Sequence, residues 1–299
     1  MPRGLPKALL LRRCPVYAHA TVYTKGEKHT GIVLRFLQDA AKAVDFAGQE
    51  SRMIRVIRAN ERHFTDFEWL QTYWLFSFSE YYDPDNIQWG ALRVFNDDVV
   101  QPQSGFGTHP HEEMEIITVV LEGEVTHEDS LGNKAVIQAG DVQRMSAGTG
   151  IRHSEFNQSP APVHFYQIWL YPDQRGLAPS YDQRRLPVVR PKNQLLPVAS
   201  GQGLPDVVTF HTDATIYLSD VEAQHTVTFP TDGSRRVFLY ISDGDLEVLG
   251  KELHAKDQAR IDPDAALTLT ARADVRFVLI DVPSCRGWGY DQETLRGVR

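Results

Sequence analysis

From Met53 onward the apolar positions fall into short runs broken by glycine, proline, asparagine and aspartate. Ile54-Arg55-Val56-Ile57 alternates as a strand does, and Trp74 to Phe78 is a second short apolar and aromatic run. Tyr82-Asp83-Pro84-Asp85 has turn chemistry, after which Gly90 to Phe95 resumes the extended pattern. Met114 to Leu121 is β-branched and long enough for a buried strand. Val125 to Glu128 runs to a turn at Ser130-Leu131-Gly132-Asn133, and Ala135 to Ile137 to another at Gln138-Ala139-Gly140-Asp141. Val163 to Leu170 is the last strong strand of this half. The polar stretch Pro172 to Pro187 reads as a linker. Beyond it the pattern repeats in outline, at Val207–Phe210, Thr215–Leu218, Thr226–Phe229, Val237–Ile241, Leu246–Leu249 and Val275–Ile280. Short strands with glycine-bearing turns predict an all-β fold of closed or sandwiched domains. We expect two, at 53–184 and 185–290, with a tail at 291–299.

The first 52 residues differ in character. They carry nine Lys/Arg against four acids, so the formal charge of -8 for the whole chain leaves -13 for residues 53–299. Ala8-Leu9-Leu10-Leu11 is too short for the apolar core of a secretory signal, and Arg12-Arg13 follow it. A transit peptide would suit the basic opening but not the scarcity of serine. We expect an extension outside the core fold, with Met53 as the functional start. Within it, Ile32 to Phe46 partly follows helical spacing. The chain of 299 residues, 42% hydrophobic and 23% charged, can form cores of ordinary size. Its acidic balance weighs against broad nucleic-acid binding. No run of about 18 apolar residues predicts a membrane span. The two cysteines, Cys14 and Cys285, make no disulfide framework, so a reducing, cytoplasmic setting is expected.

Candidate chemistry concentrates between Gly105 and Asn157. The stretch opens with Gly105-Phe106-Gly107-Thr108-His109-Pro110-His111 and ends with Ile151-Arg152-His153-Ser154-Glu155-Phe156-Asn157. His109 and His111 are two apart, as are His153 and Glu155, so each pair shares a strand face. If the two strands face each other across a barrel, four donors meet at one point. Three imidazoles and a carboxylate, with no thiolate, suit a divalent first-row metal: Fe, Mn, Co, Ni, Cu or Zn. Four ligands on an octahedral ion leave two positions for O2 or a chelating substrate. Pro110 holds the first pair extended. Glu115, four residues after His111, competes with Glu155 as the fourth ligand, and spacing does not choose between them. The other glutamate would orient an imidazole or accept a proton. His63, His127, His164, His211, His225 and His254 read as satisfied or solvated, with His164 a candidate lining residue. The corresponding stretch of the second half, Phe229 to Arg236, has no histidine pair and is expected to be metal-free.

The pattern His109-x-His111-x3-Glu115-x7-Gly123, followed by Gly140-x5-Ser146-x-Gly148-x4-His153-x3-Asn157, resembles the two cupin motifs. The phrases HPHEEMEIITVVLEGEVTHEDSLGNKAVIQAGDVQRMSAGTGIRHSE and YYDPDNIQWGALRVFNDDVV look like the pirin family, especially its bacterial quercetinase-type members. The resemblance runs from Met53 to about Pro187 and continues more weakly beyond. It implies a bicupin: two cupin-type β-sandwich barrels (double-stranded β-helix or jelly roll) in tandem, with one metal in the N-terminal barrel. It implies the ligands His109, His111, His153 and Glu155, leaving Glu115 beside them. Either glutamate would then be the catalytic proton acceptor. Fe(II) is the first expectation for the metal, with Ni, Co, Mn, Cu or Zn as alternatives. The implied activity is O2-dependent opening of quercetin or a related flavonol or phenolic enol, with release of carbon monoxide. The implied alternative is a metal- and redox-sensing regulatory protein that binds a protein partner. Ser146 stands where many cupins have proline, a departure in a turn rather than in a ligand.

Overall fold

The computed structural model describes residues 53–187, 191–231 and 233–283. The helix expected from Ile32 to Phe46 and both cysteines lie outside these residues. Strands make up nearly all the regular structure, and no helix among the described residues is long and apolar enough to cross a membrane.

Each half is a pair of sheets. In the first half the larger sheet runs, in spatial order, Ser180–Arg185, Asp141–Ser146, Glu115–Glu122, Val163–Leu170, Leu92–Val100, Leu70–Trp74 and His63–Asp66. Facing it is a four-stranded sheet of Ser104–His111, Ile151–Asn157, Glu124–Asp129 and Lys134–Gln138. The second half repeats the plan. Its larger sheet runs Ile54–Ile57, Gln258–Ile261, Arg235–Asp243, Val275–Pro283, Thr215–Val221, Leu196–Ser200 and Val208–Thr209, and its smaller sheet is built around Leu267–Ala271. This is the two-barrel, all-β architecture expected from the sequence.

The continuous apolar run at Glu115–Glu122 is explained by burial on both faces. Ile117 and Val119 join a core shared by the two halves, whereas Ile116 and Val120 point into the first barrel. Aromatic rings fill the shared core: Phe95 packs 5.2 Å from Phe238 and 5.1 Å from Tyr240. Tilted packing of this kind adds to the area that the rings bury.

Three local readings change. Ile54–Ile57, expected with the first half, pairs antiparallel with Gln258–Ile261 at the edge of the second half's sheet. The strand expected over Trp74–Phe78 is Leu70–Trp74, and the chain then leaves the sheet with Leu75 and Phe76 fully buried. Burial beyond the end of a strand looks the same in one dimension as burial within it. The expected linker Pro172–Pro187 contains the strand Ser180–Arg185, paired with Asp141–Ser146. An edge strand needs few apolar positions, and this one is fastened by Arg185 Nε to Asp141 Oδ1 at 2.7 Å.

Candidate metal centre

The two histidine-bearing strands are neighbours in one sheet, not opposed across the barrel. His153 lies directly opposite His109, and Ile151 opposite His111. Directly opposed residues on adjacent strands already bring Cβ atoms to within about 5.5 Å on one face, so no opposite wall is required. A bulge between His153 and Glu155 shifts the register and sets Glu155 opposite Phe106. Gly105 permits the close approach of these strands. A Cβ there would stand 2.3 Å from Glu155 O and 2.5 Å from Phe156 Cα.

Donor atoms of His109, His111 and His153 lie within 4.8 Å of one another. His109 Nδ1 is 2.7 Å from Gly107 O, which only accepts, so the proton sits on Nδ1 and the Nε2 lone pair is free. A second chain of contacts fixes His153. His127 Nε2 donates to Asp129 Oδ2 at 3.0 Å, which leaves His127 Nδ1 to accept from His153 Nδ1, 3.5 Å away. The Nε2 lone pairs of His109 and His153 therefore face each other at 3.1 Å. Two lone pairs at that distance repel unless a cation joins them. With metal–nitrogen bonds of about 2.1 Å, imidazoles at right angles on one ion stand about 3.0 Å apart. Burial, followed by the neighbouring imidazoles, pushes His153 down to about 2, and burial with His109 beside it pushes His111 down to about 4. Both stay neutral near pH 7, as ligands must. The residues present fit a divalent metal.

Glu155 is fully buried beside His153. It forms a second donor cluster with His127 and His153, so the four residues expected from the sequence make two clusters sharing His153. Gln167 Nε2 donates to Glu155 Oε2 at 2.9 Å, and the Thr118 hydroxyl lies 3.3 Å from Oε1. Burial raises the Glu155 carboxyl to about 7, against the opposing effect of these two hydrogen bonds. Asp98, deep in the same cavity, is raised to about 8, chiefly by burial and further by the charges of Asp97 and Glu155.

Glu115 is elsewhere. Its carboxylate accepts from Ser146 Oγ at 2.7 Å and faces His211 Nδ1 at 3.3 Å, on the side of the sheet turned toward the second half. The strand parity that linked it to His111 is lost because the chain crosses between sheets through Glu113, whose φ is 50°. His164 also points outward, 2.5 Å from Asp97 Oδ1, and does not line the cavity. His127 is the residue that sequence reasoning left among the satisfied histidines. It is satisfied, but by a contact that orients a donor. The signal was there in His127 and Asp129, a third same-face pair two residues apart.

The cluster opens into a cavity of about 1980 Å³. Trp169 stands edge-on to His111 at 4.9 Å, Phe78 edge-on to Trp169 at 5.3 Å, and Trp74 and Phe106 also line the space. The cavity has room for a molecule larger than O2, and its aromatic rings offer flat apolar surface.

A family model described as pirin matches residues 56–170, and one described as the quercetinase C-terminal cupin domain matches residues 197–282. A quercetin 2,3-dioxygenase of Escherichia coli (strain K12) is 41% identical over 236 residues, which is 77% of this chain and 99% of that protein. A pirin-like protein of Caulobacter vibrioides is 43% identical over 217 residues, covering 72% of this chain and 94% of the other. The crystal structure of YhhW from Escherichia coli superposes with a TM-score of 0.74 at 39% identity, over 79% of this chain and 100% of that one. The structure of bacterial pirin YhhW in complex with nickel(II) gives 0.73, also at 39% identity, over 78% and 100%.

Proposed function

This chain belongs to the pirin family, and from that premise we propose that it is a metal-dependent dioxygenase that opens quercetin or a related flavonol with O2. The observation that carries the reading is the pair of Nε2 lone pairs facing each other at 3.1 Å in the lining of a cavity rich in aromatic rings. His109, His111 and His153 would hold the ion, with Glu155 as the carboxylate that completes the set. Fe(II) is our first expectation for the native ion, and the nickel(II) complex of YhhW supports a site tolerant of several. When bound, the metal supplies Lewis acidity toward a substrate hydroxyl and access to O2.

The residues supply the rest. Glu155, the carboxylate buried beside the imidazoles, accepts the proton of the flavonol 3-hydroxyl. Gln167 and Thr118 hold its oxygens in place. Trp169, Phe78, Trp74 and Phe106 receive the flat rings and keep bulk water from the reacting carbon atoms. The test is aerobic incubation of protein loaded with Fe, Ni, Co, Mn or Cu with quercetin, following flavonol absorbance and carbon monoxide. Turnover that disappears in His153→Ala supports the proposal. No consumption with any of the metals removes it.

A further inference from the structure

One whole wall of the cavity is a segment outside the sheets. Phe78, Tyr81, Tyr82, Pro84, Ile87 and Gln88 line the space, all from the stretch that follows Leu70–Trp74 and precedes Leu92–Val100. The segment holds itself partly by a turn in which the Ser77 hydroxyl both donates to Asp83 O and accepts from Asp83 N, each at 2.9 Å. Arg93 ties its two ends, donating to Ser77 O at 2.6 Å and Ile87 O at 3.3 Å.

Tyr81 also stacks on His63 at 4.2 Å, and a further tie comes from the other barrel. Arg260 lies on Gln258–Ile261 and is 3% exposed. Its Nη2 donates to Leu75 O at 3.0 Å and Asn86 Oδ1 at 2.5 Å, and the guanidinium sits 4.2 Å over the Phe76 ring. Asn86 passes the restraint on. Its Nδ2 donates to Tyr81 Oη at 3.2 Å and to Leu75 O at 3.3 Å, and its backbone oxygen accepts from Ser77 N at 2.8 Å. These acceptors of Arg260 are neutral, and its Nε has none. Burial, with Arg55 adjacent, pulls the guanidinium down to about 9. A buried charge held in this way costs stability relative to an apolar side chain of similar volume. What it contributes is the placement of the loop.

We propose that Arg260, on the barrel whose described residues hold no donor cluster, is a positioning residue for substrate. Acting through Asn86, it fixes the segment 77–88 as the cavity wall and so sets affinity for the part of a flat phenolic molecule remote from the reacting atoms. The remoteness follows from the stacking order: Trp169 stands between His111 and Phe78, the first ring of the wall. Contacts made equally in ground and transition states act on KM and leave kcat alone. The substrate in this statement rests on the dioxygenase reading above; the pinning of the wall does not.

The experiment uses the full-length, metal-loaded protein with Arg260→Met, Arg260→Lys and Asn86→Ala, and quercetin as the probe. Loss of a charge-assisted hydrogen bond changes an equilibrium by about tenfold or more. Arg260→Met is therefore expected to speed amide hydrogen exchange at 77–88 and raise KM by that factor. It should leave kcat, metal content and exchange at 151–157 unchanged. Arg260→Lys should recover part of both effects. Should Arg260→Met fail to fold, Asn86→Ala cuts the same link from the other side and is judged on the same measurements. Unchanged exchange at 77–88, or a fall in kcat with KM constant, overturns the proposal. Accelerated exchange in a protein whose parent does not consume quercetin leaves the pinning standing and removes the dioxygenase reading instead.

Discussion

Replacing His127 by phenylalanine isolates the contact that orients His153. The substitution keeps a ring packed 4.8 Å from Tyr181 and removes only the nitrogens. Asp129 is not orphaned, since Leu131 N and Asn133 Nδ2 each still donate to it at 2.9 Å. What changes is His153, whose Nδ1 proton loses its acceptor in a fully buried setting. Losing the partner that orients a metal-bound imidazole typically costs about 10- to 100-fold in metal affinity. The contact here is 3.5 Å, the outer limit of a hydrogen bond, so the lower end applies. We expect about tenfold weaker binding, or ~1.4 kcal/mol. The measurement is competition for Ni(II) or Co(II) against a chromogenic chelator, with near-UV circular dichroism to verify the fold. Asp129→Asn, which unsettles the His127 tautomer, should move affinity the same way. Affinities within about twofold of the parent for both variants, far below the usual effect of such partners, would show that His153 is oriented by something else.

Other outcomes follow from the same geometry. Glu155→Gln should keep metal bound through the three imidazoles while quercetin consumption falls about 10²- to 10⁴-fold; equal turnover with equal metal content would deny Glu155 its proton-accepting role. Gly105→Ala drives a Cβ to 2.3 Å from Glu155 O, so the paired strands must part, and thermal unfolding should register a loss of about 1–3 kcal/mol or more. An unchanged Tm would contradict the close approach. Asp98 gives a pH dependence whose sign can be worked out. Its carboxyl stays protonated in the fold up to about 8 but ionises near 3.8 when unfolded, so unfolding releases a proton between those values. The stability difference between the metal-free parent and Asp98→Asn should therefore move against the parent between denaturant titrations at pH 5 and pH 8; the comparison is needed because His153 and His111, held neutral below their usual range of 6.5, act with the opposite sign. A difference that is the same at the two pH values would show that Asp98 is ionised in place.

The histidine pairs were legible because alternation along a strand is a local property: His109 with His111, and His153 with Glu155, needed no partner to be recognised. Which strands lie side by side is not local. The reading therefore placed the donors on opposite walls, whereas register sets His153 against His109 in one sheet. Glu115 failed for a related reason, since parity counts only within an unbroken strand and the chain changes sheets at Glu113. The two-barrel plan was legible from repeated apolar runs and from the resemblance of the motifs. The polar edge strand Ser180–Arg185 was not, because a strand with one exposed edge carries too few apolar side chains to announce itself. Nothing in the residues around Arg260 signals its reach, because the backbone oxygen it holds at Leu75 is 185 positions away.

The excursion of Ile54–Ile57 into the sheet of the far half makes the two barrels topologically inseparable in a way their tandem order conceals. The opening strand of the described chain is a clasp that closes only after Gln258–Ile261 has been synthesised, so completion of the fold waits on its last third. A fragment cut at the junction near residue 190 would leave Gln258–Ile261 with a naked edge and the amino-terminal piece with a dangling strand. Each is complementary to the other's deficiency, and each is ready to recruit the equivalent segment of another molecule.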